Sequence, residues 1–143
     1  LSKVGSSEGR MASISLANLR ILDDSYNANP TSMKAALDVL AMQSGYCVAV
    51  LGEMAELGEY AEKMHLELAA YAEQSAVNYF YFIGPYAQAM AAHVGENARA
   101  VDTKQELVDL ILLDQCEQKT VLVKGSRSAA MDDVINMIKR RVQ

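Results

Sequence analysis

Cysteine is scarce in this 143-residue sequence, and long apolar segments are missing. The two cysteines, Cys47 and Cys116, lie far apart, and neither has a partner at the spacing of metal ligands. This usage fits a reducing, cytoplasmic setting better than a disulfide scaffold. No apolar run approaches the roughly 20 residues of a membrane-spanning helix, and residues 1–10 lack the apolar centre of a signal peptide. Because the sequence starts at Leu1 rather than Met, we expect it to be cut from a longer polypeptide.

Clustered positive charge and phosphate-binding glycine motifs are also missing. The formal net charge is −5, and the only dense basic run is Lys139-Arg140-Arg141, at the end of a predicted helix where cations complement the helix dipole. This argues against a nucleic-acid partner, which needs clustered Lys and Arg. The sequence contains neither Gly-x-x-x-x-Gly-Lys-Ser/Thr nor Gly-x-Gly-x-x-Gly. If a nucleotide binds here, we expect its triphosphate to be held by another part of the protein.

The elements that are present alternate between strands and helices. Hydrophobic patterns predict strands at 11–16, 19–22, 48–51, 79–83, 98–101 and 120–124, and helices at 30–41, 59–75, 86–93, 103–113 and 131–141. Asn29 and Pro30 have the residue types of an N-cap and a first helical position. The order predicts an α/β fold over residues 1–143 as one domain: a mostly parallel, doubly wound (Rossmann-like) sheet with helices on both faces and an N-terminal antiparallel hairpin.

Two polar segments follow predicted strands, where ligands bind in open parallel sheets. The first, residues 23–30, reads Asp-Asp-Ser-Tyr-Asn-Ala-Asn-Pro. Its carboxylates can accept hydrogen bonds from ribose hydroxyls or hold a cation, and the amides of Asn27 and Asn29 can donate and accept. The alternative is that these residues only form the turn and the helix cap.

The second polar segment is Lys124-Gly125-Ser126-Arg127-Ser128. A strand-ending lysine followed by Gly, Ser and Arg before a helix is typical of an anion-binding corner, where helix N–H groups and a bidentate arginine meet the ligand. The alternative is a serine-capped helix with two solvated cations. His65 and His93 lie in helical patterns among polar residues, and we expect both at the surface.

Four segments carry a resemblance to a known family. They are Gly9-Arg10 and residues 23–33, 50–58 and 123–128, of which 23–30 is the most specific. In this order they resemble the C-terminal domain of the Mur ligases, in particular those that add D-Ala-D-Ala to UDP-MurNAc-tripeptide in bacterial peptidoglycan synthesis. The resemblance implies a three-domain ligase, with UDP-sugar and central ATPase domains that are absent from this sequence. It implies ATP and Mg²⁺ as cofactors, bound mainly by the central domain, and an acyl-phosphate intermediate.

The same resemblance implies roles for individual residues. Arg10 would reach the ATP phosphates and Asp24 the ribose, while Asn27 and Asn29 would bind the ATP and line the nucleotide and amine-substrate side. Ser126 and Arg127, with Lys124, would lie towards the incoming D-Ala-D-Ala. It implies no complete catalytic set within these residues and no metal site, so the domain would complete the site when it closes on the central ATPase domain, and would be inactive alone.

Two other hypotheses come from different functional classes. Asp23, Asp24 and Lys124 also imitate the acids and lysine of a receiver-like phosphoacceptor signalling module, although Gly52-Glu53 offers Glu where that module needs Asp. A purely structural or partner-binding domain is the third possibility. No membrane partner is expected under any of them.

Overall fold

The computed structural model describes residues 11–113 and 118–142. The elements within them are β1 (Ala12–Leu16), β2 (Leu19–Asp24), α1 (Pro30–Ala41), β3 (Tyr46–Leu51), α2 (Ala61–Glu73), β4 (Tyr79–Ile83), α3 (Ala87–Val94), β5 (Ala98–Val101), α4 (Lys104–Leu113), β6 (Lys119–Lys124) and α5 (Asp132–Val142). Short 3₁₀ turns cover Gly58–Tyr60 and Arg127–Ala129. Every predicted strand and helix is present. The boundaries of α1, β4 and β5 are as predicted, and those of the other elements differ by one or two residues. Of the helices described, none is both long and apolar enough to cross a membrane.

The strands form one six-stranded sheet in the order β1-β2-β6-β3-β4-β5. β1 and β2 are antiparallel, and the other neighbouring pairs are parallel. The predicted fold class, with its N-terminal hairpin, is therefore confirmed. The hairpin turn is tight, and Ala17 within it has a left-handed φ of 55°.

Helices cover both faces of the sheet. α1, α2 and α3 pack on one face and α4 and α5 on the other, in two separate apolar clusters. The central strands alternate between these clusters: Ala49 and Leu51 of β3 face α1–α3, whereas Val48 and Val50 face α4 and α5. This explains the continuous apolar run of β3, since both of its faces are buried.

The position of β6 creates a crevice at the carboxyl edge of the sheet. β6 is inserted between β2 and β3. The chain leaves β2 and β3 towards the α1–α3 face but leaves β6 towards the α5 face. Ligands bind in open α/β sheets where neighbouring strands diverge in this way. The register pairs Lys124 with Asp24 on one side and with Leu51 on the other, so both predicted polar segments lie at this crevice.

Candidate functional site

Lys124 lies at the centre of the crevice. Its Nζ is 3.0 Å from Asp24 Oδ2 and donates a hydrogen bond to the backbone carbonyl of Asn27 at 2.9 Å. Lys124 is 2% exposed, and the side chain of Asp24 is 16% exposed. The ammonium group therefore joins the end of β6 to the turn between β2 and α1. Its charge is matched by Asp24, as a buried cation requires.

Asp23 and Asn29 form the local structure of that turn. Asp23 Oδ1 accepts hydrogen bonds from the Ser25 amide at 3.1 Å and from its hydroxyl at 2.7 Å. Asn29 is the N-cap of α1: its Oδ1 accepts from the Ser32 amide at 2.8 Å, and the Ser32 hydroxyl accepts from the Asn29 amide at 3.0 Å. For these two residues the turn-and-cap alternative describes the contacts found. Asn29 retains its side-chain NH₂ as a donor.

Asn27 and Tyr26 present polar groups to solvent. Both are exposed, and Asn27 Oδ1 accepts a hydrogen bond from the Ala28 amide at 2.8 Å, which directs its NH₂ group away from the backbone. The Arg127 guanidinium lies over the Tyr26 ring, 5.0 Å from its centroid, and its Nη1 is 3.4 Å from the phenol oxygen. This stack spans the crevice and leaves the exposed guanidinium available to a carboxylate or phosphate.

A 3₁₀ turn separates the segment after β6 from the last helix. Ser126 is 1% exposed, and its Oγ accepts from the Ala129 amide at 3.3 Å, capping the 3₁₀ turn. Ala130 then adopts a left-handed φ of 50°, and α5 begins only at Asp132. This turn therefore lies between Ser126 and the N–H groups of the last helix, which the sequence predicted to begin at residue 131. A serine cap is observed, although on the 3₁₀ turn rather than on a helix. Of the two cations only Arg127 is exposed, since Lys124 is buried and paired with Asp24.

Close backbone packing fixes the ends of β3 and β6 together. A Cβ atom on Gly125 would lie 2.6 Å from Met131 Cγ and 3.2 Å from the Gly52 Cα. The Gly52 amide donates to the Lys124 carbonyl at 2.8 Å. The two strand ends therefore approach more closely than side chains would allow.

His65 lies inside the protein, against the loop after β3. It is 1% exposed, so the expectation that it lies at the surface is wrong. Its Nε2 accepts a hydrogen bond from the Met54 amide at 2.9 Å, which ties α2 to the loop after β3. The signal was present in the helical spacing, since His65 shares the buried face of Leu68 and Ala72. His93 is partly exposed, as expected, with its Nε2 3.7 Å from a carboxylate oxygen of Glu73.

Comparison with known proteins identifies the family. The family described as "Mur ligase, glutamate ligase domain" matches residues 9–127. The chain belongs to the Mur ligase family. It is 41% identical over 134 residues to the UDP-N-acetylmuramoyl-tripeptide–D-alanyl-D-alanine ligase of Escherichia coli K12, covering 92% of this chain and 29% of that protein. The chain thus spans less than a third of the length of this Mur ligase.

Solved Mur ligase structures have the same architecture. A crystal structure of MurF from Acinetobacter baumannii superimposes with a TM-score of 0.84 at 32% identity, covering 92% of this chain and 30% of that one. MurF from Thermotoga maritima, solved in complex with ADP, has a TM-score of 0.81 at 24% identity, covering 94% of this chain and 31% of that one. At that identity the second match supports the fold alone.

The receiver-like hypothesis is not supported. If the five parallel strands β2 to β6 are renumbered 1 to 5 in chain order, they lie in the sheet in the order 1-5-2-3-4. The strands of flavodoxin-like folds lie in the order 2-1-3-4-5. The last parallel strand is inserted beside the first, so Lys124 neutralises Asp24 instead of approaching an acid at the end of a central strand.

The predicted role of Arg10 remains without a structural test. Arg10 lies outside the described residues. Across residues 11–113 and 118–142, no group of three or more His, Cys, Asp or Glu side chains is arranged to hold a metal ion. Asp23 and Asp24 are instead engaged by Ser25 and Lys124.

Proposed function

We propose that the chain is the C-terminal domain of a cytoplasmic ATP-dependent ligase that adds D-Ala-D-Ala to UDP-MurNAc-tripeptide. The observation that carries the proposal is the crevice where Lys124 joins Asp24 to the Asn27 backbone, in a chain that has no phosphate-binding glycine motif. Such a site can recognise parts of a nucleotide and a peptide but cannot hold a triphosphate by itself. The similarity to D-Ala-D-Ala ligases over 92% of the chain supports the choice of reaction.

The nucleotide side of the proposed site consists of Asp24, Asn27 and Asn29. Lys124 occupies Oδ2 of Asp24, so Oδ1 can accept a hydrogen bond from a ribose hydroxyl. Asn27 and Asn29 have their carbonyl oxygens bound to backbone amides and can each offer an NH₂ donor. Arg10 supplies a cation to the phosphates.

The dipeptide side consists of Arg127 and the Ser126 segment. Arg127 is exposed and stacked on Tyr26, so its guanidinium can pair in a bidentate way with the carboxylate of D-Ala-D-Ala. Lys124 is buried and bound to Asp24 and to the Asn27 carbonyl. We therefore expect it to act indirectly, by holding the β2–α1 turn beside this side of the site.

The proposed reaction has two steps. ATP transfers its γ-phosphoryl group to the terminal carboxylate of the tripeptide, giving an acyl phosphate and ADP. The amine of D-Ala-D-Ala then displaces phosphate and forms the amide. Phosphoryl transfer needs concentrated positive charge, usually with Mg²⁺. Because Asp23 and Asp24 are already engaged by Ser25 and Lys124, we place the Mg²⁺ on the central ATPase domain. Closure of this domain over the central one completes the site and excludes water, so the isolated chain is inactive.

The test uses the full-length ligase that contains this chain and measures phosphate release with all three substrates. Asp24→Asn removes the negative charge but keeps the shape, and we expect the KM for ATP to rise about tenfold, a change of about 1.4 kcal/mol. The matched control is Asp109→Asn. Asp109 is an exposed carboxylate paired with Arg141 at 2.9 Å, and we expect this substitution to leave the KM for ATP unchanged. An unchanged KM for ATP in Asp24→Asn, or phosphate release that does not depend on D-Ala-D-Ala, would contradict the proposal.

A further inference from the structure

A buried imidazole connects three loops at the carboxyl edge of the sheet. The β3 loop is residues 52–57, the β4 loop is residues 84–86 and the β6 loop is residues 125–131. His65 Nε2 faces the Met54 amide at 2.9 Å, and His65 Nδ1 lies 2.7 Å from the Ala61 carbonyl oxygen. An amide N–H can only donate and a carbonyl can only accept. The two contacts therefore require the neutral imidazole with its proton on Nδ1.

The hydrogen bonds continue through one peptide unit. The N–H of the Glu53–Met54 peptide donates to His65, and the C=O of the same peptide accepts from the Ser126 amide at 2.8 Å. The peptide group is thus held at both ends, in an arrangement where each bond polarises the next. On the other side, Tyr86 of the β4 loop stacks on the imidazole, with ring centroids 4.3 Å apart and an interplanar angle of 25°.

The β3 loop has no regular structure that could hold this peptide in place. Residues 52–57 form neither helix nor strand, and Glu56 adopts a left-handed φ of 61°. Met54 is 2% exposed, so its amide needs a partner within the protein. His65 supplies that partner from the rigid helix α2.

We propose that His65 is a positioning residue that sets the β6 loop for the incoming dipeptide. It orients the Glu53–Met54 peptide, which fixes the Ser126 amide, and the adjacent Arg127 is held in turn. The role of the positioned residues rests on the proposed function. The hydrogen-bond chain itself can be tested without any substrate.

The first experiment examines the 143-residue chain by NMR. In the wild type, ¹⁵N shifts identify Nδ1 of His65 as protonated and Nε2 as unprotonated. In His65→Leu, hydrogen exchange at the Met54 and Ser126 amides accelerates by about tenfold to a hundredfold. The Met54 amide loses its acceptor, and the Glu53–Met54 peptide, whose carbonyl accepts from Ser126, is no longer held in place. Exchange at the Leu107 amide in α4, on the opposite face, stays unchanged. A protonated Nε2 in the wild type, or unchanged exchange at Met54 and Ser126, overturns the proposal.

The second experiment measures kinetics in the full-length ligase. His65→Leu raises the KM for D-Ala-D-Ala about tenfold and leaves the KM for ATP within twofold, because the Asp24 side of the crevice does not use this chain of bonds. His65→Gln, whose Oε1 can replace Nε2 as acceptor, restores most of the affinity and remains informative if the Leu variant does not fold. His93→Gln is the matched control and changes neither value.

Equal defects in the Leu and Gln variants, or a defect shared by both substrates, reduce His65 to a general packing role and overturn the proposal. If the wild-type enzyme shows no turnover that depends on D-Ala-D-Ala, the proposed function fails, while the tautomer and exchange measurements still decide whether His65 holds the peptide.

Discussion

Replacing Lys124 with Met tests whether the buried ion pair organises the crevice. The substitution keeps the side-chain length but leaves the Asp24 carboxylate and the Asn27 carbonyl without their donor. Removing one partner of a buried pair costs about 3–5 kcal/mol. Because the Asp24 side chain is still 16% exposed and water can reach it, we expect a loss near the lower end, about 3 kcal/mol. With an m-value of about 2 kcal/mol per molar urea, the urea concentration at the unfolding midpoint falls by about 1.5 M.

The assay is urea unfolding of the 143-residue chain, combined in a double-mutant cycle with Asp24→Asn. The double variant should be more stable than the sum of the two single losses implies, by at least about 1 kcal/mol, because the second substitution removes a charge already left unpaired. Arg141→Met is the matched control. Its pair with Asp109 has a similar N–O distance of 2.9 Å but is about half exposed, so its loss costs less than about 1 kcal/mol. Additive losses, or a cost of Lys124→Met no larger than that of the control, would refute the coupling.

Four further outcomes are expected. Calorimetry on the isolated chain detects no micromolar ATP binding, because a complete phosphate site is missing, and micromolar affinity would contradict the proposed division of the site. In the full-length ligase, Tyr26→Ala raises the KM for D-Ala-D-Ala about two- to fivefold, because the cation–π contact with Arg127 is lost. Tyr26→Phe keeps the ring and leaves this KM within twofold of the wild-type value. Equal effects of the two substitutions would exclude the ring as the cause. Gly125→Ala, whose Cβ would lie 2.6 Å from Met131, destabilises the chain by about 1–3 kcal/mol in thermal melts, and an unchanged melting temperature would show that the packing can relax. Burial raises the pKa of the Cys47 thiol, so less thiolate is present at neutral pH, and mass spectrometry finds Cys47 alkylated only when the chain unfolds; rapid alkylation in the folded chain would contradict this.

The sequence was sufficient to predict the secondary structure and the fold class because local signals agreed with the tertiary structure. Asn29 and Pro30 have the cap and first-turn roles expected of them. The apolar run at 48–51 is buried on both faces. The hydrophobic pattern predicted the ends of the helices and strands less well than their presence. α5 starts at Asp132 because Ala130 adopts a left-handed conformation, which the conformational preference of alanine does not predict.

The division of labour within residues 23–30 could not be predicted in the same way. Asp23 and Asp24 have identical chemistry, yet one closes the local turn and the other pairs with a residue 100 positions away. That difference depends on the insertion of β6 beside β2, a long-range feature that local periodicity does not contain. The burial of His65 is a different case, since its helical face indicated it and the expectation was set by residue type alone.

Under the proposed function, the hydrogen bonds between the loops affect how this domain closes over the central ATPase domain. Lys124 ties the β6 strand end to the β2–α1 turn, and the Glu53–Met54 peptide ties the β3 loop to both Ser126 and His65. Lys124, His65 and Ser126 are buried, whereas Arg127 and the side chain of Asn27 project to solvent. Groups that are already held in place lose little conformational entropy when a ligand arrives. Under the proposed function, closure therefore carries a preformed half-site as a unit, and the energy that drives it must come from contacts between domains and with substrates rather than from ordering these loops.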